Sequence, residues 1–218
     1  MTAPSVFLVT DPRWSLERIE AVIEAAGRAL APGALGVQLR DKSAPLADLA
    51  RTARALRAVT ARVGARFVVN APTSEALEGA AAAGADGAHV PCRPDRVAEA
   101  RGRLGAAAWI STPAHSDEDV SIAAAAGATG VLVSPIFASP GKGPPRGVAA
   151  LTAARARAPD LVVIALGGVD ASSAAACAAA GADGVAIVRA LLDAGDPTAM
   201  ARALDAPFRD RRAPAAPL

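Results

Sequence analysis

Ala81-Ala-Ala-Gly-Ala-Asp-Gly87, Ala124-Ala-Ala-Gly-Ala-Thr-Gly130 and Ala178-Ala-Ala-Gly-Ala-Asp-Gly184 are near-copies of one heptapeptide. In each, alanines finish a helix, a glycine able to take the left-handed cap stops it, and the chain turns at once into an apolar run. A helix-to-strand return repeated along one chain predicts a repeating βα architecture. Working outward, apolar runs predict strands at Val6–Thr10, Leu35–Leu39, Phe67–Asn70, Gly87–Val90, Ala107–Ser111, Val131–Ser134, Leu161–Leu166 and Val185–Val188. Helical spacing fills the gaps. Ser15 is placed to cap a helix reaching about Leu30, a second runs from Leu46 to about Val63, and the last lies near Thr198 to Phe208. Eight alternations predict a closed (β/α)8 TIM barrel in a single domain over residues 1–208, with 209–218 as a flexible tail rich in Pro, Ala and Arg. An open doubly wound sheet is the alternative; no Gly-x-Gly-x-x-Gly follows the first strand to support it.

Composition narrows the partners. Lys plus Arg number 23 against 21 Asp plus Glu, and aromatics are 3% of the chain, so neither a basic surface nor a stacking platform for nucleic acid is present. No apolar run approaches the ~20 residues that cross a bilayer. Cys92 and Cys177 lie far apart and no signal segment precedes them, which predicts no disulfide framework and a cytoplasmic location. A small-molecule ligand is the default.

In a barrel every strand end opens at one mouth, so residues distant in sequence become neighbours. The sixth strand ends in Ser134-Pro-Ile-Phe-Ala-Ser-Pro-Gly-Lys142, a loop whose lysine among Gly and Ser suits a phosphate; a plain solvated lysine is the other reading. Gly167-Gly168 after strand seven and Val188-Arg189 at the end of strand eight predict a phosphate cradle of bare amides, with a tight turn as the alternative. Gln38, Arg40 and Lys42 alternate, so a period of two puts them on one face. Cations there call for an anion, or else for ion pairs with Asp11 and Asp41. His115 could move a proton or be a surface residue; His89 reads as a satisfied core or mouth histidine. With no second His or Cys at ligand spacing, no metal site is predicted from spacing.

These motifs together resemble the thiamine phosphate synthase and thiazole tautomerase superfamily from Val6 to about Phe208. The resemblance rests on Val37-Gln-Leu-Arg-Asp-Lys42, Val69-Asn70, Ala85-Asp-Gly-Ala-His-Val90, Ala114-His-Ser116, Ser134 to Lys142, Ala165-Leu-Gly-Gly-Val169 and Gly181 to Val188. It implies a barrel, often a homodimer, binding a thiazole phosphate with its phosphate on the loops after strands seven and eight. For the synthase branch it implies that Gln38, Arg40, Lys42, Asn70 and Lys142 hold a pyrimidine pyrophosphate, with Ser139 and Gly141 where threonines are usual. That branch also implies Mg²⁺ on two aspartates, whose places here are Ala71 and Pro94. The tautomerase branch needs no metal and uses a histidine at the place of His115 as general acid. The missing carboxylates tilt the reading slightly to metal-free proton transfer, with coupling as the alternative, Mg²⁺ only if coupling holds, and a catalytically silent phosphate-binding barrel as the third.

Overall fold

The computed structural model describes residues 3–209. It is a closed barrel of eight parallel strands in sequence order: β1 (Val6–Val9), β2 (Leu35–Leu39), β3 (Arg66–Asn70), β4 (Gly87–His89), β5 (Trp109–Ala114), β6 (Gly130–Val133), β7 (Val162–Leu166) and β8 (Gly184–Ile187). β1 pairs with β8 through Val6 and Val185, which closes the ring. Helices α1 (Leu16–Ala29), α2 (Leu46–Arg62), α3 (Ser74–Ala82), α4 (Pro94–Leu104), α5 (Asp117–Ala125), α6 (Ala149–Arg157) and α7 (Ala174–Ala179) follow the first seven strands. A four-residue α8 (Arg189–Leu192), α9 (Pro197–Asp205) and a 3₁₀ turn (Ala206–Phe208) follow β8. Ser15 caps α1 by accepting from Arg18 N, as the sequence predicts. Among the described residues, no helix is long and apolar enough to cross a membrane.

Strand alternation separates two apolar regions. Val6, Leu8, Val37, Leu39, Val131 and Val133 face the helices, whereas Phe7, Val9, Val68, Trp109, Leu132, Ile164 and Ala186 fill the barrel interior. Most of the bulk comes from β1, β3, β5 and β7, with Leu132 added from β6, while glycines on β2 and β4 give space. Phe7 and Trp109 approach with ring centroids 6.0 Å apart. Gly36 leaves room for the Phe7 ring, and a Cβ on Gly87 would sit 2.0 Å from the Trp109 carbonyl oxygen. The Arg66 guanidinium lies 4.8 Å from the Trp109 ring centre and closes the layer near the strands' amino ends.

The three heptapeptide copies are structural, and each carries a strand staple. Asp86 Oδ2 accepts from Phe67 N at the start of β3 (2.8 Å) and from Arg57 of α2 (3.1 Å). Asp183 Oδ2 does the same for Val163 N of β7 (2.8 Å) and Arg155 of α6. In the middle copy Thr129 Oγ1 accepts from Ile110 N of β5 (3.1 Å) and Arg101 of α4 (3.3 Å). One slot thus serves three quarters of the ring.

Two boundaries differ from the sequence reading in ways that move the site. β5 runs on through Thr112, Pro113 and Ala114, so His115 directly follows the strand. Pro113 is tolerated because Ser111 is the last β5 residue paired with β4, and the missing amide falls where β4 has ended. Val188 does not finish β8; it stands at the start of α8, with Arg189 the first helical residue. The expected tail lies outside the described residues except for Arg209, whose Nε donates to Asp205 Oδ2 (3.0 Å).

Candidate active site

The carboxyl ends of the strands form the candidate site. Gln38 sits where Val9 and Val68 flank it in register, inside the ring, and it is 2% exposed. Its Nε2 has no hydrogen-bond partner among the described residues. An orphaned amide donor in a low-dielectric place costs about 1–3 kcal/mol. Next along the same face, Arg40 is partly buried and its guanidinium makes no hydrogen bond or ion pair among the described residues. Its backbone N–H donates to Thr10 Oγ1 (2.9 Å), which fixes the chain where β2 ends. Lys42 lies beyond the strand on an exposed loop, so the two-residue alternation holds through Gln38 and Arg40 only.

Asn70 ends β3 opposite His89, and His89 pairs with Ser111. The His89 Nδ1 and Ser111 Oγ are 3.0 Å apart. Burial first, then the positive fields of Arg40 and His115, push the His89 imidazole down to about 4. The register sets His89 between Asn70 and Ser111 at the strand ends, where its neutral form is favoured. It is therefore a partnered mouth histidine.

His115 is exposed, and its Nδ1 lies 3.1 Å from the Ser134 carbonyl oxygen and 3.3 Å from Ser134 Oγ. Donation to the carbonyl fixes a proton on Nδ1 and leaves Nε2 without a partner among the described residues. Its own N–H donates to Asp119 Oδ2 (2.7 Å), part of the capping box that starts α5. Ser134 thus couples the β5 and β6 ends and is 3% exposed.

The β6 loop is tied at its base and open at its tip. Ile136 N and Phe137 N donate to Leu166 O and Gly167 O (both 2.9 Å), while Arg146 N and Gly147 N return to Pro135 O (2.8 Å) and Ile136 O (3.0 Å). Arg146 also reaches Asp117 at 2.8 Å, a brace the sequence reading did not find. Ser139 and Lys142 occupy the tip; Lys142 is exposed and its side chain has no partner among the described residues.

Gly167 and Gly168 have φ of +97° and +65°, which alone favours glycine. Packing adds a second reason: a Cβ on Gly168 would lie 2.5 Å from Ala138 O, and one on Gly167 would lie 2.9 Å from Pro135 Cα. The glycines therefore admit the β6 loop, whatever they bind. The amides of Gly167, Gly168, Arg189 and Ala190 donate to no described residue, leaving a set of N–H groups able to meet an anion. The Arg189 side chain is exposed.

The mouth thus combines a buried amide donor, unpaired cations, a histidine with a free nitrogen and open backbone amides. That set suits a ligand with two anionic groups and a polar ring. A family model described as thiamine monophosphate synthase matches residues 6–191. A thiamine-phosphate synthase of Methanoculleus marisnigri is 41% identical over 213 residues, covering 96% of each chain. One of Thioalkalivibrio sulfidiphilus is 40% identical over 193 residues, covering 88% of this chain and 86% of its own. The solved thiamine phosphate pyrophosphorylase of Pyrococcus furiosus superposes with a TM-score of 0.78 over 96% of this chain and 97% of its own; at 23% identity it speaks for the fold.

Proposed function

The chain belongs to the thiamine monophosphate synthase family, and on that premise we propose that it couples a hydroxymethylpyrimidine pyrophosphate to a thiazole phosphate. The bond from the pyrimidine methylene carbon to the pyrophosphate oxygen breaks, and its electron pair leaves with the pyrophosphate. The thiazole nitrogen then closes on that carbon with its own lone pair. No proton, oxidant or reductant enters, so the protein's task is to hold ions and orient rings.

The observation that carries this reading is the unpartnered Gln38 Nε2, buried beside the unpaired Arg40. A ring acceptor of the pyrimidine satisfies the amide, and the attached pyrophosphate meets Arg40, Lys42 and Lys142 as charge develops on it. Asn70 stands between these groups and the histidines. The amides of Gly167, Gly168, Arg189 and Ala190, with Val188 setting their approach, take the thiazole phosphate; Ser134 and Ser139 border it. Arg189 adds charge from outside.

The sequence lean to metal-free proton transfer is set aside. The relatives carry the name of the coupling enzyme, and a thiazole phosphate alone gives no reason for a second cationic patch around Gln38 and Arg40. The absence of aspartate at positions 71 and 94 bears on the metal and does not distinguish coupling from proton transfer. His115 stays beside the site through Ser134, where it can steady the thiazole without being required to move a proton.

Both substrates given to the purified protein test the proposal by product mass spectrometry. Thiamine phosphate with equimolar pyrophosphate is expected. Aromatised thiazole phosphate from its carboxylate precursor, without coupling, would return the assignment to proton transfer; ligand binding with no product would favour the silent barrel.

A further inference from the structure

The charges at the mouth divide unevenly. Its cations are unspent: Arg40, Lys42 and Lys142 make no ion pair among the described residues. Its carboxylates are all engaged. Asp11 takes the Arg13 amide (3.0 Å) and guanidinium (3.0 and 2.8 Å). Asp41 Oδ1 takes Ser43 N (2.8 Å), Ser43 Oγ (2.7 Å) and Ala44 N (3.1 Å). Asp119 Oδ2 takes the amides of His115 (2.7 Å) and Ser116 (2.9 Å).

Mg²⁺, the metal that the family resemblance implies, finds no matching donor set. Ala71 is fully buried and apolar, Pro94 opens α4 without a donor, and Asp95 beside it is bound by Arg93 at 3.1 Å through Nε and again through Nη2. Among the described residues no group of three or more His, Cys, Asp or Glu could hold a metal ion. Mg²⁺ is ordinarily held by one or two carboxylates beside the substrate's phosphates, and the two places where the resemblance puts those carboxylates, Ala71 and Pro94, offer none.

We infer that this chain binds the pyrophosphate group as the free anion, on Arg40, Lys42 and Lys142, with no Mg²⁺ held by the protein. The inference rests on the coupling reading for its ligand and goes beyond it in assigning the counter-charge to side chains. A terminal pyrophosphate carries roughly three negative charges at neutral pH, by the acidities of phosphate esters. Three cations match it. Arg40 is the anchor because it is partly buried and its planar fork can hold two oxygens at once, whereas the two lysines close from mobile stems.

Calorimetric titration of the full chain with inorganic pyrophosphate, once with EDTA and once with excess Mg²⁺, tests this without turnover. Binding in EDTA at least as tight as in Mg²⁺ is expected, with Arg40→Gln weakening it tenfold or more in EDTA and circular dichroism confirming that the variant is folded. Binding that tightens tenfold or more with Mg²⁺, or that is missing in EDTA, would overturn the inference. Should Arg40→Gln not fold, the two wild-type titrations still decide. The coupling reading fails separately: no thiamine phosphate with or without Mg²⁺, while pyrophosphate still binds in EDTA, would refute the reaction and keep the anion site. Product only with Mg²⁺, alongside Mg²⁺-dependent binding, would keep the reaction and refute the metal-free site.

Discussion

At the scale of single residues, Gln38 and His89 separate function from stability. Gln38→Met keeps the volume and removes an unpartnered buried donor, so the fold should lose nothing and can gain up to about 1 kcal/mol. The same change should cost 10- to 100-fold in kcat/KM for the pyrimidine substrate, the worth of one or two hydrogen bonds. Urea denaturation and steady-state kinetics check the two halves; destabilisation with unaltered kinetics would mean that Gln38 is purely structural. His89 gives a pH signature. Its folded pKa, near 4, lies below its ordinary value of 6.5, so the unfolded chain binds the extra proton between them. The stability it supports is complete above about 6.5 and is lost as pH falls toward 4, with an upper bound of about 3 kcal/mol at about 1.4 kcal/mol per unit. Lowered carboxylates such as Asp11 and Asp170 add a loss of the same sign at lower pH. Denaturation of the protein and of His89→Gln at pH 7.5 and 5 isolates the histidine: the variant should lose less. Residue types and strand ends made Gln38, Arg40 and His115 legible in sequence. The Arg146–Asp117 brace was not, because nothing local pairs positions so far apart.

At the scale of elements, the three heptapeptides explain what the sequence could and could not reveal. Their glycines gave the turns, and the shared slot at Asp86, Thr129 and Asp183 was visible as repetition; its role as a strand staple needed the third dimension. Asp86→Ala should lower stability by about 1–2 kcal/mol, since it strips a carboxylate from the buried Phe67 amide and from Arg57, the Arg57–Asp86 pair itself being partly exposed to water. Asp86→Asn should recover most of the amide bond, and thermal melts of the pair resolve the parts. Pro113 concealed the end of β5 because proline reads as a break, while the pairing pattern allows it on the side β4 has vacated. Four residues are too few for periodicity, which hid α8.

At the scale of the molecule, the closed ring converts eight strand ends into one electropositive mouth above an interior sealed by Phe7, Trp109 and Arg66. Fold and site thus divide along the strand axis: packing near the amino ends, chemistry near the carboxyl ends. The order of strands and helices announced the ring, but which charges would stand unpaired at its mouth depended on loops that pair Asp11 with Arg13 and engage Asp41 and Asp119 with local amides. The most direct test is a crystal structure of the full chain grown with thiamine phosphate and pyrophosphate. The account expects a pyrimidine nitrogen within hydrogen-bond distance of Gln38 Nε2, pyrophosphate on Arg40, and the thiazole phosphate on the amides of Gly167, Gly168 and Arg189. Product bound elsewhere, with the Gln38 amide left unpartnered, would contradict it.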